Sequence, residues 1–552
     1  MNQHIQVSNS LEVCSVCQKL AEKTRSLWRQ HRPVTASLWG EPILHRAEDL
    51  STRGHEGWIS ALETLALETN NICSQVTTLA DIVLCNEIAR FIDYQLYQAT
   101  TQRPYHKRLI SYLSLISTAL LPFTLKTEYL STMKEALTER LTTINTWLDY
   151  AEIHYTSGEL TVSSAEVSQA IVLATAIADF ISRQECQTHH LQEEGNKICL
   201  QLRRWEEERP QRTTPSQKVQ NNQQQENQID QFNHLLTQCY GTLKPLDWWQ
   251  STLVERLWIE VETLNQAEAQ GDTLQAAATA SDWNYEVWGH PQETNKALPD
   301  EPKDPYHILG WITQAYNSLQ TSLTEHNIIN TSPPTSIAVA PPITQILVPE
   351  ALFLRVTHGN SPGQLLVSPL LLQRQQPLLR REFLRLAIIA AHELCPGHYQ
   401  HVDQQSKSIF APYFDFLQNP IGFEGWAVYG ERFITHIDPS AQAISSYHLI
   451  RRLLPNALIF TNIYRGREEA NKLLQQVIRQ CPSLAPSAGR PGFLSESSLV
   501  YAIGLIETET SIEELRAHLG SEVDRAETYR RYLSQGPIAP SAVVKLAKLH
   551  QK

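Results

Sequence analysis

The chain has 552 residues, of which 42% are hydrophobic, 8% are aromatic and 19% are charged. These proportions are typical of globular proteins with a sizeable buried core, and they exclude the disordered and fibrous classes. The formal net charge is −12, so no general positive field attracts phosphate groups or anionic lipids. We therefore expect neither a nucleic-acid partner nor a membrane partner.

The N-terminal sequence, MNQHIQVSNSLEVC, lacks the charged and apolar regions that a signal peptide needs. The nine cysteines of the chain lack the regular spacing of a disulfide framework. Both features predict reduced thiols in a cytoplasmic protein. Cys14 and Cys17 form a single C-x-x-C pair. Because no second pair follows and no strand-helix context surrounds them, we interpret these two cysteines as packing or incidental residues rather than as a metal or redox site.

The first 330 residues are predicted to be mostly helical, because apolar residues recur there at spacings of three and four. The apolar stretch Leu109 to Phe123 is too short to span a bilayer, so it is predicted to form a buried helix. The polar run from Gln211 to Gln231 has no apolar periodicity, which indicates a solvated loop or linker. We place a subdomain junction there, between an N-terminal helical subdomain (residues 1–210) and a helical catalytic region (residues 232–552).

A proline-containing region, Thr331 to Gln364, is predicted to form loops with one or two short strands. The next segment, Leu378 to Glu393, is predicted to form a helix that is buried on all sides, because its second half is almost entirely apolar. The expected fold is mainly α, a large multi-helical body with a few short strands near this helix and a cleft between two helical subdomains. Further helices are predicted over Phe423 to Ile437, Leu449 to Phe460, Glu468 to Arg479 and Ile512 to Leu519.

The sequence His-Glu-Leu-Cys-Pro-Gly-His, residues 392–398, places two imidazoles and a carboxylate at the end of the buried helix. Buried polar groups need partners, and two histidines on one helix face can share a metal ion. His392 and His398 are six residues apart, which on a regular helix turns them to different faces. A metal site therefore requires a break between them, and Pro396 and Gly397 are residue types that break helices.

A catalytic zinc ion takes three protein ligands and keeps one position open. Glu424, on the following predicted helix, is the candidate third ligand beside His392 and His398, for one zinc ion per chain. Glu393 adjoins the first histidine, where it can take a proton from the water that the metal activates. Glu431 lies seven residues after Glu424, on the same helix face, where it would orient a histidine or otherwise support the ligands.

The segments HELCPGH and FEGWAVYGE resemble those of the bacterial DUF885 family of predicted zinc metallopeptidases, in which H-E-x-x-P-G-H precedes E-G-W-A-x-Y-x-E. The resemblance covers most of the chain as one unit and is clearest from about residue 340 to 520. The arrangement also resembles the broader gluzincin peptidases, in which the glutamate that opens the second segment is the third zinc ligand. This favours Glu424 over Glu431. The resemblance implies a largely helical fold with a long cleft and hydrolysis of peptides or related amides.

Near the C-terminus, the segment Ser498 to Gly504 is similar to the A-x-S-Y-x-x-G element of this family. The resemblance implies that Tyr501 donates a hydrogen bond to the oxyanion of the reaction, and the alternative is a buried structural tyrosine. The family also carries a D-x-G-x-H element, whereas the corresponding stretch here, RRLLPNALIFTNIYRGREEA, lacks the Asp and the His. This difference predicts altered specificity or reduced activity. Arg451 and Arg452 are candidates for holding a substrate carboxylate, with a surface position as the alternative.

The residues and the resemblance together predict a zinc-dependent hydrolase that acts on a peptide or a small amide. Two alternatives stay open at this point. One is a metal-dependent tailoring enzyme that acts on a small-molecule amide. The other is a non-catalytic helical binding protein that keeps zinc for its structure. Glu393 argues against this second alternative, because a structural zinc site needs no general base.

Overall fold

In the computed structural model, helices make up most of the described chain, which confirms the predicted mainly α fold. Residues 211–228 of the predicted linker lie outside the described residues. The structure describes residues 12–39, 45–124, 131–183, 189–207, 229–270, 306–326, 328, 336–348, 350–355, 363–372, 380–484, 496–520 and 523–548.

Long helices dominate the chain before the sheet. Three of them begin at residues whose side chains accept hydrogen bonds from first-turn amides, namely Ser51, Thr78 and Ser163. The helices are α1 (Ser15–His31), α2 (Pro33–Ala36), α3 (Thr52–Cys73), α4 (Leu79–Tyr97), α5 (Pro104–Lys107), α6 (Leu109–Thr124), α7 (Ser131–Thr156), α8 (Ser164–Ser182), α9 (His189–Glu207), α10 (Leu246–Ala269) and α11 (Tyr306–Glu325), with π-helical turns at Gln98–Gln102 and Leu235–Cys239.

A three-stranded sheet precedes the helix that carries His392. Its strands are β1 (Ser336–Val339), β2 (Ala351–Arg355) and β3 (Gly363–Val367), in the order β1-β3-β2. β3 pairs with β1 in parallel and with β2 in antiparallel orientation. The sequence predicted one or two strands here. The third arises because the apolar residues of β3 are buried between the other two strands.

The second set of helices surrounds the candidate site. The predicted helix from Phe423 to Ile437 is divided in the structure, because a 3-10 turn at Glu431–Phe433 separates α15 from α16. The helices are α12 (Pro369–Leu372), α13 (Arg380–Glu393), α14 (His398–Gln405), α15 (Pro420–Gly430), α16 (Ile434–Ile437), α17 (Gln442–Arg465), α18 (Arg467–Gln480), α19 (Glu496–Leu519), α20 (Arg525–Leu533) and α21 (Pro540–Ala547), with further 3-10 turns at Pro342–Thr344, Ala411–Tyr413, Pro439–Ala441 and Pro482–Leu484.

Two large apolar clusters form most of the core. The larger cluster packs α1, α3 and α4 against α10, α11 and the second set of helices, and the smaller one unites α6 to α9. The predicted buried helix over Leu109 to Phe123 is α6, in the smaller cluster. Among the described residues, α8 is the one helix long and apolar enough to cross a membrane. Its Leu173 and Ile177 are buried in the smaller cluster, as in a core helix.

Candidate metal centre

The helix break that a metal site requires lies between α13 and α14. α13 ends at Glu393, and α14 begins at His398. The Cys395–Pro396 peptide bond between them is cis. A Cβ atom on Gly397 would lie 1.7 Å from the carbonyl oxygen of His392, so only glycine fits where the turn folds back onto the helix. The two imidazole rings lie next to each other across this turn, with their centroids 4.8 Å apart and their planes nearly perpendicular.

Hydrogen bonds hold this turn to the helices on both sides. The amide of Gly397 donates to the carbonyl oxygen of Ala391 in α13 at 2.9 Å. The indole of Trp426 donates to the carbonyl oxygen of Pro396 at 2.6 Å, and the Trp426 side chain is fully buried. Trp426 therefore ties the turn between the two histidines to α15, the helix that carries Glu424.

Two glycines bring α15 and α19 into direct backbone contact. The first turn of α15 is capped by Asn419, whose side-chain oxygen accepts hydrogen bonds from two backbone amides. A Cβ atom on Gly425 would lie 2.3 Å from the carbonyl oxygen of Gly504 in α19. Larger residues would separate the helices. Because the two helices are this close, Glu424 of α15 and Tyr501 of α19 belong to the same site.

The three predicted ligands converge on one point. Glu424 Oε2 lies 3.4 Å from His392 Nε2 and 3.4 Å from His398 Nε2, and the three ligand atoms all lie within 4.8 Å of one another. The carboxylate oxygen is buried, yet it makes no hydrogen bond. Ligand atoms at about 2.0–2.1 Å from a tetrahedral zinc ion are about 3.3–3.4 Å from each other. The spacing around Glu424 therefore fits a zinc ion.

Charge at this site is balanced by protonation when no metal is bound. Burial opposes the ionisation of Glu424, but the His398 and His392 imidazoles hold the pKa of its carboxyl well below the ordinary range. Burial also opposes the protonation of His392, but the adjacent carboxylates of Glu424 and Glu431 raise the pKa of His392 to about 9. A divalent cation would replace this proton as the compensating positive charge.

Glu431, in the 3-10 turn after α15, supports His392 from the side opposite to Glu424. It is 1% exposed, its Oε1 lies 2.8 Å from His392 Nδ1, and the same oxygen accepts a hydrogen bond from the Arg452 guanidinium. Burial raises the pKa of the Glu431 carboxyl, but Arg452 and His392 outweigh this effect and lower the pKa to about 2. A carboxylate at Nδ1 keeps the imidazole proton there and leaves Nε2 free for a metal ion.

Glu393, the predicted general base, directly follows His392 at the end of α13 and contacts the sheet. Its Oε2 accepts a hydrogen bond from the backbone amide of Phe353 at 2.9 Å. Phe353 belongs to β2, which pairs with β3 on its other side. The outer edge of β2 therefore fixes one oxygen of the Glu393 carboxylate.

Tyr501 and Arg452 complete one wall of the site. The Tyr501 ring centroid lies 6.0 Å from that of His392, and the guanidinium carbon of Arg452 lies 4.3 Å from the Tyr501 ring centroid. The charge of Glu424 and then burial raise the pKa of Tyr501, so its hydroxyl stays a hydrogen-bond donor. Arg451 is exposed. The structure thus brings Arg452 into the site and leaves its neighbour at the surface.

A cavity of about 480 Å³ extends from Glu424 to the N-terminal helices. Its volume is in the range of small-ligand sites. Aromatic and charged side chains line its far part, and among them are Arg32, Trp58, Tyr94, Arg103, His106 and His154. Both the N-terminal helices and the second set of helices therefore contribute to the space beside the candidate metal site.

No family model and no curated protein matches the chain. Two solved structures share its fold at a TM-score of 0.61 and 14% identity. One, described as a "putative lipoprotein of unknown function", is from Shewanella oneidensis, and the match covers 97% of this chain and 100% of that one. The other, described as a "putative lipoprotein", is from Colwellia psychrerythraea, with coverages of 98% and 100%. At this identity the similarity shows a shared fold over nearly the whole chain.

The sequence analysis missed the part of the site that the N-terminal helices supply. His106 and His154 have ring centroids 4.1 Å apart, and their Nδ1 atoms lie 3.2 and 3.1 Å from Glu159 Oε2. They come from different helices, so no local spacing marks them as a pair. The Phe353 amide has no sequence signature either, because any residue except proline offers this donor.

Proposed function

We propose that this protein is a zinc-dependent hydrolase of peptide or related amide bonds. The observation that carries the proposal is the buried oxygen of Glu424, which lies 3.4 Å from Nε2 of His392 and of His398 without a hydrogen bond. A buried carboxylate oxygen in such surroundings is satisfied by a cation. The adjoining Glu393 and the cavity at Glu424 favour a catalytic use of that cation.

His392, His398 and Glu424 would hold the zinc ion, which supplies the Lewis acidity that polarises a carbonyl group and acidifies water. In the part of the chain that the structure describes, no fourth His, Cys, Asp or Glu joins this group. Structural zinc sites have four protein ligands, whereas catalytic sites have three and an open position. The size of the ligand group therefore supports the catalytic alternative over the structural one.

Glu393 takes a proton from the attacking water and passes it to the leaving amine. The Phe353 amide holds one oxygen of its carboxylate, which restricts the side chain and leaves the other oxygen for the proton. Glu431 keeps the proton of His392 on Nδ1, so that Nε2 stays directed at the ligand position. The two glutamates thus have different roles: Glu393 transfers the proton, and Glu431 orients the ligand His392.

Tyr501 stabilises the negative charge that develops on the carbonyl oxygen of the substrate. Its hydroxyl can donate a hydrogen bond because the charge of Glu424 and burial raise the pKa of Tyr501. Arg452 lies over the Tyr501 ring and contributes positive charge on the same side of the site. Both residues belong to the wall that faces His392.

The cavity favours short peptides or amides that carry a carboxylate. Trp58 and Tyr94 offer apolar surface for a side chain, and Arg32 and Arg103 offer positive charge. Larger, folded substrates would exceed a space of about 480 Å³. We therefore propose short peptides as the principal substrates.

The replacement Glu393→Gln tests the catalytic assignment. The variant should keep its zinc and lose peptide cleavage by about 100- to 10,000-fold, the usual contribution of a general base. Metal analysis measures the zinc, and mass spectrometry of a digested peptide library measures the cleavage. Glu468→Gln, at an exposed side chain of α18, is the matched control and should behave as the wild type.

Two outcomes would contradict the proposal. If the Glu393→Gln variant cleaves peptides as fast as the wild type, Glu393 is not the general base. If the wild-type protein contains no zinc at this site after zinc-replete expression, the proposal of a zinc-dependent hydrolase is wrong. Cleavage of small amides alone would overturn the assignment to peptides and favour a small-molecule substrate.

A further inference from the structure

Two guanidinium groups that line the cavity form no ion pair. Arg32 follows α1, and Arg103 lies between the π-helical turn and α5. Both side chains line the cavity that reaches Glu424, and within the residue ranges that the structure describes no carboxylate forms an ion pair with either of them. A guanidinium group without an ionic partner beside a cavity is suited to bind an anionic group of a ligand.

The carboxylates that line the same cavity are held by other groups. Glu87 forms an ion pair with Arg90, and Asp415 pairs with Arg25 at 3.0 Å. Asp49 accepts a hydrogen bond from the backbone amide two residues further on, at 3.0 Å. The fourth carboxylate is the proposed zinc ligand. Away from the metal site, the two unpaired guanidinium groups thus outnumber the one carboxylate that has no ionic partner, and the cavity has a net positive charge there.

Trp58, His55 and His106 link these two guanidinium groups. The guanidinium carbon of Arg32 lies 5.9 Å from the Trp58 ring centroid. His55 precedes Trp58 by three residues on α3, on the same helix face, and its ring centroid lies 5.8 Å from that of His106. Arg103 Nη2 lies 3.0 Å from His106 Nδ1. We name these five residues, Arg32, His55, Trp58, Arg103 and His106, the basic wall.

Glu159 contacts the basic wall without entering the cavity. Its Oε2 lies 3.2 Å from His106 Nδ1 and 3.1 Å from His154 Nδ1. The side chain of Glu159 is 49% exposed and is absent from the residues that line the cavity. It therefore compensates the charge of the two histidines from outside, and it leaves Arg32 and Arg103 available to a ligand.

Aromatic side chains extend from the metal ligands into the same cavity. The Phe423 ring stacks on the His398 imidazole, with the centroids 4.1 Å apart. Trp39 meets the Phe423 ring edge-on at 5.9 Å, and both side chains line the cavity. Trp39 follows Arg32 by seven residues, after the short helix α2. One segment of the chain thus supplies both a cation and an apolar surface to the ligand space.

We propose that the basic wall binds the free α-carboxylate of a peptide and that the protein removes residues from the carboxyl terminus. This inference rests on the proposed hydrolase function. With the scissile carbonyl at the metal site and the carboxylate at the basic wall, the residues between them belong to the C-terminal side of the scissile bond. A terminal ammonium group would meet like charge at the wall. Trp39 and Phe423 offer apolar surface to a side chain of the departing fragment.

Three acetylated peptides of equal length test the proposal on the full-length, zinc-loaded wild-type protein. The first, acetyl-Ala-Ala-Ala-Phe, has a free C-terminal carboxylate, and the second is its C-terminal amide. The third, acetyl-Ala-Ala-Ala-Asp amide, carries a carboxylate on a side chain only. We expect kcat/KM to be about 10- to 100-fold higher for the first peptide than for the others, the usual effect of a hydrogen bond to a charged group. Equal rates for the first two peptides, or a preference for the third, would overturn the proposal.

Replacements in the basic wall test its residues. Arg32→Met should raise KM for the free-carboxylate peptide by about 10-fold or more, with little change in kcat or in the kinetics of the amide. Arg103→Met should act in the same direction, and its exposed side chain can be replaced without loss of the fold. Arg53→Met, at an exposed residue of α3 outside the cavity, is the matched control. Unchanged KM in both wall variants would overturn the assignment.

Binding measurements separate this inference from the hydrolase proposal. Calorimetry with the Glu393→Gln variant should show about 10- to 100-fold tighter binding of the free-carboxylate peptide than of its amide. If the wild type cleaves no peptide but this difference in affinity persists, the hydrolase proposal is wrong and the carboxylate site stands. If acid and amide bind equally, the carboxylate site is wrong, whether or not the wild type cleaves peptides.

Discussion

The replacement Glu431→Gln tests whether Glu431 acts on the metal through His392. In the wild type, the buried carboxylate lies 2.8 Å from His392 Nδ1 and also accepts a hydrogen bond from Arg452. Glutamine keeps the shape and one oxygen acceptor but removes the negative charge. We expect a folded protein that binds zinc more weakly and unfolds more easily than the wild type.

The expected magnitude has two parts. Loss of the carboxylate behind a ligand histidine weakens metal binding by about 10- to 100-fold, which corresponds to about 1.4–2.7 kcal/mol. Arg452 also loses its ionic partner, and such a loss in a buried pair costs about 3–5 kcal/mol. Arg452 is partly exposed, and glutamine still offers it an oxygen. The loss in unfolding free energy should therefore be near the lower limit, about 3 kcal/mol.

Two assays separate these effects. Competition with a chelator measures the zinc dissociation constant, and urea unfolding in EDTA measures the stability of the metal-free protein. The matched control is Glu260→Gln in α10, which removes a buried carboxylate that accepts from Arg432 at 2.9 Å and from Ser446 at 3.0 Å. The control should lose stability without losing zinc affinity. Equal zinc affinity in Glu431→Gln and in the wild type would refute the role assigned to Glu431.

Three further predictions follow from the site. Gly397→Ala puts a methyl group 1.7 Å from the His392 carbonyl oxygen, so the free energy of unfolding in urea should fall by about 3 kcal/mol or more. Metal analysis should show loss of the zinc bound at this site, and an unchanged zinc content would contradict the prediction. Tyr501→Phe should lower kcat by about 100-fold with zinc retained, and an effect on KM alone would assign Tyr501 to substrate binding. Without metal, the pKa of His392 is raised from 6.5 to about 9, so its stabilisation of about 3 kcal/mol is complete below pH 6.5 and is lost as pH rises through 9. Urea unfolding in EDTA across this range measures the effect, and a His392→Gln variant should lack it.

The helical class was predictable because helix formation depends on neighbours three and four residues apart. The buried helices α6 and α13 have apolar residues on nearly every side, and the structure contains both. The limits of other helices were less predictable. The 3-10 turn that begins at Glu431 divides a predicted continuous helix. At this turn the Glu431 side chain contacts His392 and Arg452, which lie far from it in sequence.

At the candidate site, the sequence alone predicted the feature that local helix geometry controls, namely the break between the two histidines. Six residues between His392 and His398 require a break, and the Pro-Gly pair between them allows it, so the break at this point follows from helix geometry alone. The tertiary fold then brings residues that are distant in sequence into contact at the site. Gly425 meets Gly504 across two helices, and the Phe353 amide reaches Glu393. These contacts join residues that are distant along the chain, and such pairings depend on how whole helices pack rather than on any spacing in the sequence.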